Sequence, residues 1–138
     1  MSVLALATTA ELEACWAALG EPPRYVWLRR PEAGLVMVRG RAGGNGARFN
    51  LGEMTVTRCT VRLDDGTLGH AWVGGRDSRH AELAAALDAL LQDGARAAAL
   101  LATVVEPLAL AQAARRAAAR ERAAASRVDF FTMVRGED

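Results

Sequence analysis

The 138 residues carry 17 basic and 16 acidic side chains, a net charge of +1. That is enough chain to bury one real core, and the balance is too even for a generic nucleic-acid binder. Every basic residue is arginine, which removes Schiff-base and P-loop lysines from the available chemistry.

No basic segment precedes the short apolar stretch Val3–Ala7, so no signal peptide is expected. Thr8 or Thr9 is placed to cap a first helix reaching about Leu19, with Gly20 as its stop and Pro22-Pro23 beyond. Leu12, Cys15, Trp16 and Leu19 fall at helical spacing and give it one apolar face. Four strand-like runs follow: Tyr25–Arg30, Leu35–Arg41, Met54–Leu63 and Thr67–Val73. Pro31-Glu32-Ala33-Gly34 joins the first pair and Asp64-Asp65-Gly66 the last, both with hairpin-turn composition. An antiparallel sheet is the natural reading.

Asp77 or Ser78 then caps a helix whose Leu83, Leu87 and Leu90 form a stripe, closing near Gly94. After a short alanine-rich segment, Pro107 suits the first turn of a last helix ending near Ala125. The apolar region Ala95–Ala114 is interrupted by Arg96, Glu106 and Pro107 and does not read as a membrane span. The last helix is mostly alanine with Arg115, Arg116, Arg120 and Arg122. Its helix propensity is high and its burial thin, so it reads either as an arm or as a tightly packed alanine face. The sequence thus predicts a single α+β domain. It comprises an N-terminal helix in 1–24, a four-stranded antiparallel sheet in 25–74, flanking helices in 75–125 with a long C-terminal helical arm, and a tail in 126–138.

That tail holds two of the three phenylalanines. Val128, Phe130, Phe131, Met133 and Val134, beside Arg127, carry more apolar area than a free terminus should present to water. The tail is therefore expected to dock, on its own domain, on another subunit or on a second copy, another subunit being the simplest account.

The loop between the second and third runs reads Arg39-Gly40-Arg41-Ala42-Gly43-Gly44-Asn45-Gly46-Ala47-Arg48-Phe49-Asn50-Leu51-Gly52. Glycines let a backbone approach a ligand and aim N–H groups at phosphate oxygens. Between Arg39 and Arg62 there are five arginines and one acid, Glu53, which suits a polyphosphate, a phosphonate or an acidic protein surface. Arg39, Arg41, Gly43, Gly44, Gly46, Arg48, Arg58 and Arg62 are therefore the candidate contacts. Alternation places Arg39 and Arg41 with Leu35 and Met37, and Arg58 and Arg62 with Val56 and Thr60, in one mixed apolar and guanidinium face. Val36, Val38, Cys59, Val61 and Leu63 fall on the opposite, core side. A solvated hairpin connection is the plainer alternative.

Other chemistry is thin. Cys15 and Cys59 are far apart, which suits a reducing cytoplasm rather than a disulfide scaffold. His70, His80 and Cys59 have no metal-ligand spacing, Asp64-Asp65 reads as a turn, and no catalytic triad or dyad assembles. The residues do not by themselves describe an enzyme.

These stretches together resemble the PhnG family. The resemblance is carried by Arg39 through Glu82, with Gly43-Gly44-Asn45-Gly46, Thr55-Val56-Thr57-Arg58-Cys59, Asp65-Gly66-Thr67-Leu68-Gly69 and Gly75-Arg76-Asp77 followed by His80-Ala81-Glu82. The closing Ser126–Gly136 run adds to it. It spans roughly Tyr25 to Gly136, the first 24 residues matching only in helical character. The resemblance implies a cytoplasmic subunit of the bacterial carbon–phosphorus lyase system, in a two-fold symmetric core with PhnI-like, PhnH-like and PhnJ-like partners. That core makes α-D-ribose 1-methylphosphonate 5-triphosphate from ATP and methylphosphonate with release of adenine. The iron–sulfur chemistry belongs to the PhnJ-like subunit, which fits two scattered cysteines here, since a cluster typically needs three or four. No cofactor, nucleic acid or membrane is implied for this chain. An assembly role carries over, and no catalytic residue does. Two alternatives stay open: a phosphate-gripping substrate-binding subunit, and a free-standing homodimeric binding protein.

Overall fold

The structure, a computed structural model, describes residues 1–21, 23–43 and 45–127. Two short helices open the chain, α1 (Ser2–Leu6) and α2 (Thr9–Ala17). Thr8 caps α2 in a reciprocal box: its hydroxyl accepts from the Glu11 N–H at 3.2 Å, and the Glu11 carboxylate accepts from the Thr8 N–H at 2.8 Å. Gly20, at φ +76, turns the chain out of the helix. Leu12 is buried, with Cys15, Trp16 and Leu19 packed around it, as the spacing predicts. The α1 turn was not expected. Its Leu4 is one of the most buried side chains.

The sheet has three antiparallel strands, not four: β1 (Tyr25–Arg41), β2 (Arg48–Leu63) and β3 (Leu68–Gly74), in the order β1-β2-β3. The expected turn at Pro31–Gly34 is extended strand. Gly34 does not take the positive φ that a tight hairpin turn requires, and Ala33 and Gly34 sit in the ladder opposite Thr57 and Val56. Pro31 is tolerated because β1 is an edge strand, and the register shifts between Trp27 and Glu32 absorb it. The first two runs are thus one strand, and the reversal falls in the Gly-rich segment. The β2–β3 turn is as read: Gly66 lies at φ +91 and the Thr67 N–H donates to Asp65 Oδ1 at 2.8 Å.

Asp77 caps α3 (Ser78–Leu90), its Oδ1 accepting from the His80 N–H at 2.9 Å. α3 lies on the sheet, with α1, α2 and α4 (Gly94–Leu100) against its other sides, so it is apolar nearly all round. Leu83, Leu87 and Leu90 meet Cys59, Val61, Leu63, Ala71 and Val73 in the core. His80 is buried and its Nε2 lies 2.8 Å from the Leu4 carbonyl.

α3 closes at Leu90, near Gly94 as expected, and helix resumes at once. Asp93 caps α4, and a π-turn (Leu101–Val105) carries it directly into α5 (Glu106–Ala125). The Glu106 N–H reaches back to the Leu101 carbonyl, and this wider turn accommodates Pro107, which brings a bulky ring and no N–H. Glu106 and Pro107 therefore do not interrupt the helix. It runs Gly94–Ala125, 32 residues, long and apolar enough by length and composition to cross a membrane. Packing accounts for part of that apolarity, since Leu100, Val104 and Leu108 lie in the core. The Gln112 amide donates to the Val3 carbonyl at 2.7 Å, and Arg115 grips Glu11 at 2.6 and 3.3 Å. Beyond them the residues to Arg127 are exposed apart from half-buried Ala118. The last helix is an arm only from Arg116 onward.

Candidate functional site

β3 ends opposite Val56, so beyond that point β1 and β2 continue as a two-stranded ribbon. From Ala33 to Arg41 it projects roughly 30 Å. None of its described residues between Leu35 and Met54 is buried. Leu35 is 62% exposed, Met37 50%, Leu51 65% and Phe49 45%. A lone hairpin is marginally stable in water, and this one shows apolar side chains on both faces.

The register decides which side chains share a face, because directly facing residues project to the same side. Val36 faces Met54 and Gly34 faces Val56, which puts Val36 and Val38 with Val56, Arg58, Thr60 and Arg62 on the outer face, away from α3. Leu35 faces Thr55 and Met37 faces Glu53, which puts Leu35, Met37, Arg39 and Arg41 on the side of Cys59 and Val61. The expected single arginine face is therefore wrong. The ladder sets Leu35 opposite Thr55 rather than Val56, and that one-residue difference in register inverts the pairing of faces. Val36 and Val38 are half-buried on the ribbon and lie outside the core.

The candidate arginines form two groups. At the ribbon tip Arg41 faces Arg48, with Arg39 two residues back on the same side of β1, all exposed. The Arg41 guanidinium donates to the Gly46 carbonyl at 3.3 Å, and the Gly46 N–H donates to the Ala42 carbonyl at 2.9 Å. Gly43 takes φ +57, and a Cβ on Gly46 would come within 2.7 Å of the Ala42 oxygen, so both glycines are there for the reversal itself. Gly44 lies outside the described residues. Arg58 sits ten positions along β2 from Arg48, roughly 30 Å away. Glu32 bridges it to Arg29, each at 2.6 Å, and the two guanidiniums hold the Glu32 carboxyl below its ordinary range. Arg58 also lies over the Trp72 ring at 5.5 Å. Arg62 is exposed on the same outer face. A hollow of about 250 Å³ where the ribbon leaves the sheet is lined by Glu32, Val36, Val56, Arg58 and Trp72 among others.

Elsewhere the chemistry is structural. Burial pushes the Cys59 thiol up to about 11 and raises that of Cys15. The Tyr25 hydroxyl, pushed up to about 12 by burial, donates to Glu82 at 2.8 Å. His70 meets the Thr60 hydroxyl at 3.2 Å on the outer face. A groove of about 450 Å³ between α2, α3 and α4 has Glu21 and Arg96 as its charged lining residues. Arg127 is exposed, its N–H donating to the Ala124 carbonyl; Val128, Phe130, Phe131, Met133 and Val134 lie outside the described residues. The exposed ribbon was missed in sequence because Pro31–Gly34 reads as a turn, although the unbroken apolar run Leu35–Val38 could have signalled it.

Residues 1–136 match the family model described as phosphonate metabolism protein PhnG, so the match extends through the first 24 residues as well. A protein of Rhizobium meliloti (strain 1021), alpha-D-ribose 1-methylphosphonate 5-triphosphate synthase subunit PhnG, is 51% identical over all of this chain and 88% of its own length. The chain belongs to the PhnG family.

Proposed function

We propose that this chain is a subunit of the carbon–phosphorus lyase core, supporting formation of α-D-ribose 1-methylphosphonate 5-triphosphate from ATP and methylphosphonate with release of adenine. The observation that carries the reading is the 51% identity to a subunit of that synthase over the full chain. The fold is in keeping with it, because a projecting apolar ribbon and a bare helical arm suit a protein that works in contact with others. Its partners are PhnI-like, PhnH-like and PhnJ-like subunits in a two-fold symmetric cytoplasmic assembly. The chain itself needs no cofactor, ATP being the assembly's substrate and the iron–sulfur cluster the PhnJ-like subunit's. The tail from Arg127 to Val134 docks on a neighbour.

The test is reconstitution from the separate subunits. Adenine release from ATP with methylphosphonate should require this chain together with its partners and be absent with the chain alone. Equal turnover without the chain would overturn the reading, as would turnover by the chain in isolation.

A further inference from the structure

The two edges of the sheet are treated differently. On β3 two outward backbone groups are taken by α3 and the turn after it: the Leu68 carbonyl accepts from Gln92 at 2.6 Å, and the His70 N–H donates to Asp88 at 3.1 Å. A strand added along Leu68 and His70 would have to displace both side chains. On β1 the first half is broken by two register shifts and Pro31, which guard it in another way.

The second half has no such guard. The Gly75 N–H donates to the Thr55 carbonyl at 2.9 Å, so Thr55 turns its backbone groups away from β1. Its facing residue Leu35 therefore directs both its N–H and its carbonyl to the outer edge, as do Ala33 and Met37 at the strand period of two. Among the described residues nothing bonds these groups. The run Gly34–Val38 is regular in register and uncharged. It is a ready template for one more strand.

Charge indicates what fills it. Arg39 and Arg41 continue the side of Leu35 and Met37, and Arg48 faces Arg41. Among the described residues none of the three has an ion-pair partner. In an antiparallel pairing of two copies about Val36, Arg39 and Arg41 would come opposite Ala33 and Pro31. The nearby Glu32 carboxylate is already held by Arg29 and Arg58, so a second copy would leave them without a counter-charge. We infer that the outer edge of β1 from Ala33 to Met37 takes an added strand from a partner subunit, apolar beside Leu35 and Met37 and carboxylate-bearing beside Arg39 and Arg41. This rests on the assembly reading above and names the mode of contact.

The experiment is hydrogen exchange on the full chain, alone and in the complex co-purified with PhnI-like, PhnH-like and PhnJ-like subunits. The Leu35 and Met37 amides should exchange freely alone and about tenfold more slowly or better in the complex. Leu35→Pro or Met37→Pro removes an outward N–H without taking a bond from β2, so each should weaken subunit affinity about tenfold. Arg41→Ala with Arg48→Ala should also weaken it, with added salt mimicking the effect. If a proline variant loses its fold, the wild-type exchange data still decide. Unchanged exchange in a complex that does form would overturn the inference and leave the assembly reading intact. Failure of the wild-type chain to enter the complex would overturn both. Protection in the lone chain, tracking a concentration-dependent dimer, would assign the edge to a second copy and overturn the partner strand.

Discussion

Gly69 is the point at which α3 comes closest to the sheet. A Cβ there would fall on the Ala85 carbonyl oxygen and lie 2.6 Å from the Ala89 nitrogen and 2.8 Å from its Cβ. These neighbours are helix backbone and cannot give way as a flexible side chain would. The alanines of α3 have the same cause: Ala81, Ala85 and Ala89 are fully buried because larger residues would hold the helix off the strands. Gly69→Ala should therefore cost about 3 kcal/mol, at the upper end for overpacking, and lower Tm by roughly 10 °C. Thermal unfolding of the purified variant checks this. A Tm unchanged within a degree or two would mean that α3 is seated less tightly than the structure has it.

At the scale of elements, the C-terminal helix is held to the body by few polar contacts, and one of them titrates. Hydrogen bonding from Arg115, with help from the Thr8 N–H, lowers the Glu11 carboxyl from 4.5 to about 2. Because the folded value lies below the unfolded one, the stabilising effect is fully present above about pH 4.5 and fades as pH falls towards 2. Acid should thus loosen both the α2 cap and the grip on α5 in that window. Glu11→Gln should give a flatter loss of stability from pH 5 to pH 2 than the parent chain, measured as Tm against pH. Parallel curves would mean that the Arg115 pair contributes nothing in solution. Such caps and turns were legible in the sequence because they are local: Thr8 with Glu11, Asp77, and Asp65-Gly66 each act within a few residues. The continuous β1 was not, because Pro31-Glu32-Ala33-Gly34 has the composition of a turn and only its pairing with Thr57 and Val56 makes it strand. The split of the arginines was hidden for a related reason. The register that sets Leu35 opposite Thr55 decides which residues share a face, and alternation within one run carries no trace of its partner's register. Likewise Pro107 reads as a helix start, and the π-turn that lets the helix run through it leaves no obvious mark.

The whole molecule is a compact body with two projections, the β1–β2 ribbon and the arm of α5. The body holds the core; the ribbon carries exposed apolar side chains, an open strand edge and a tip of three arginines. The ribbon is expected to serve assembly and to be dispensable for folding. Replacing residues 35–55 by an Asn-Gly turn joins Gly34 to Val56, two residues that already face each other. The most direct test is size-exclusion chromatography of this variant with PhnI-like, PhnH-like and PhnJ-like subunits, alongside its thermal unfolding alone. The expected result is a cooperatively folded chain, its Tm within roughly 5 °C of the parent, that no longer co-elutes with the other subunits. Co-elution at parental affinity would contradict it, as would collapse of the lone chain's fold.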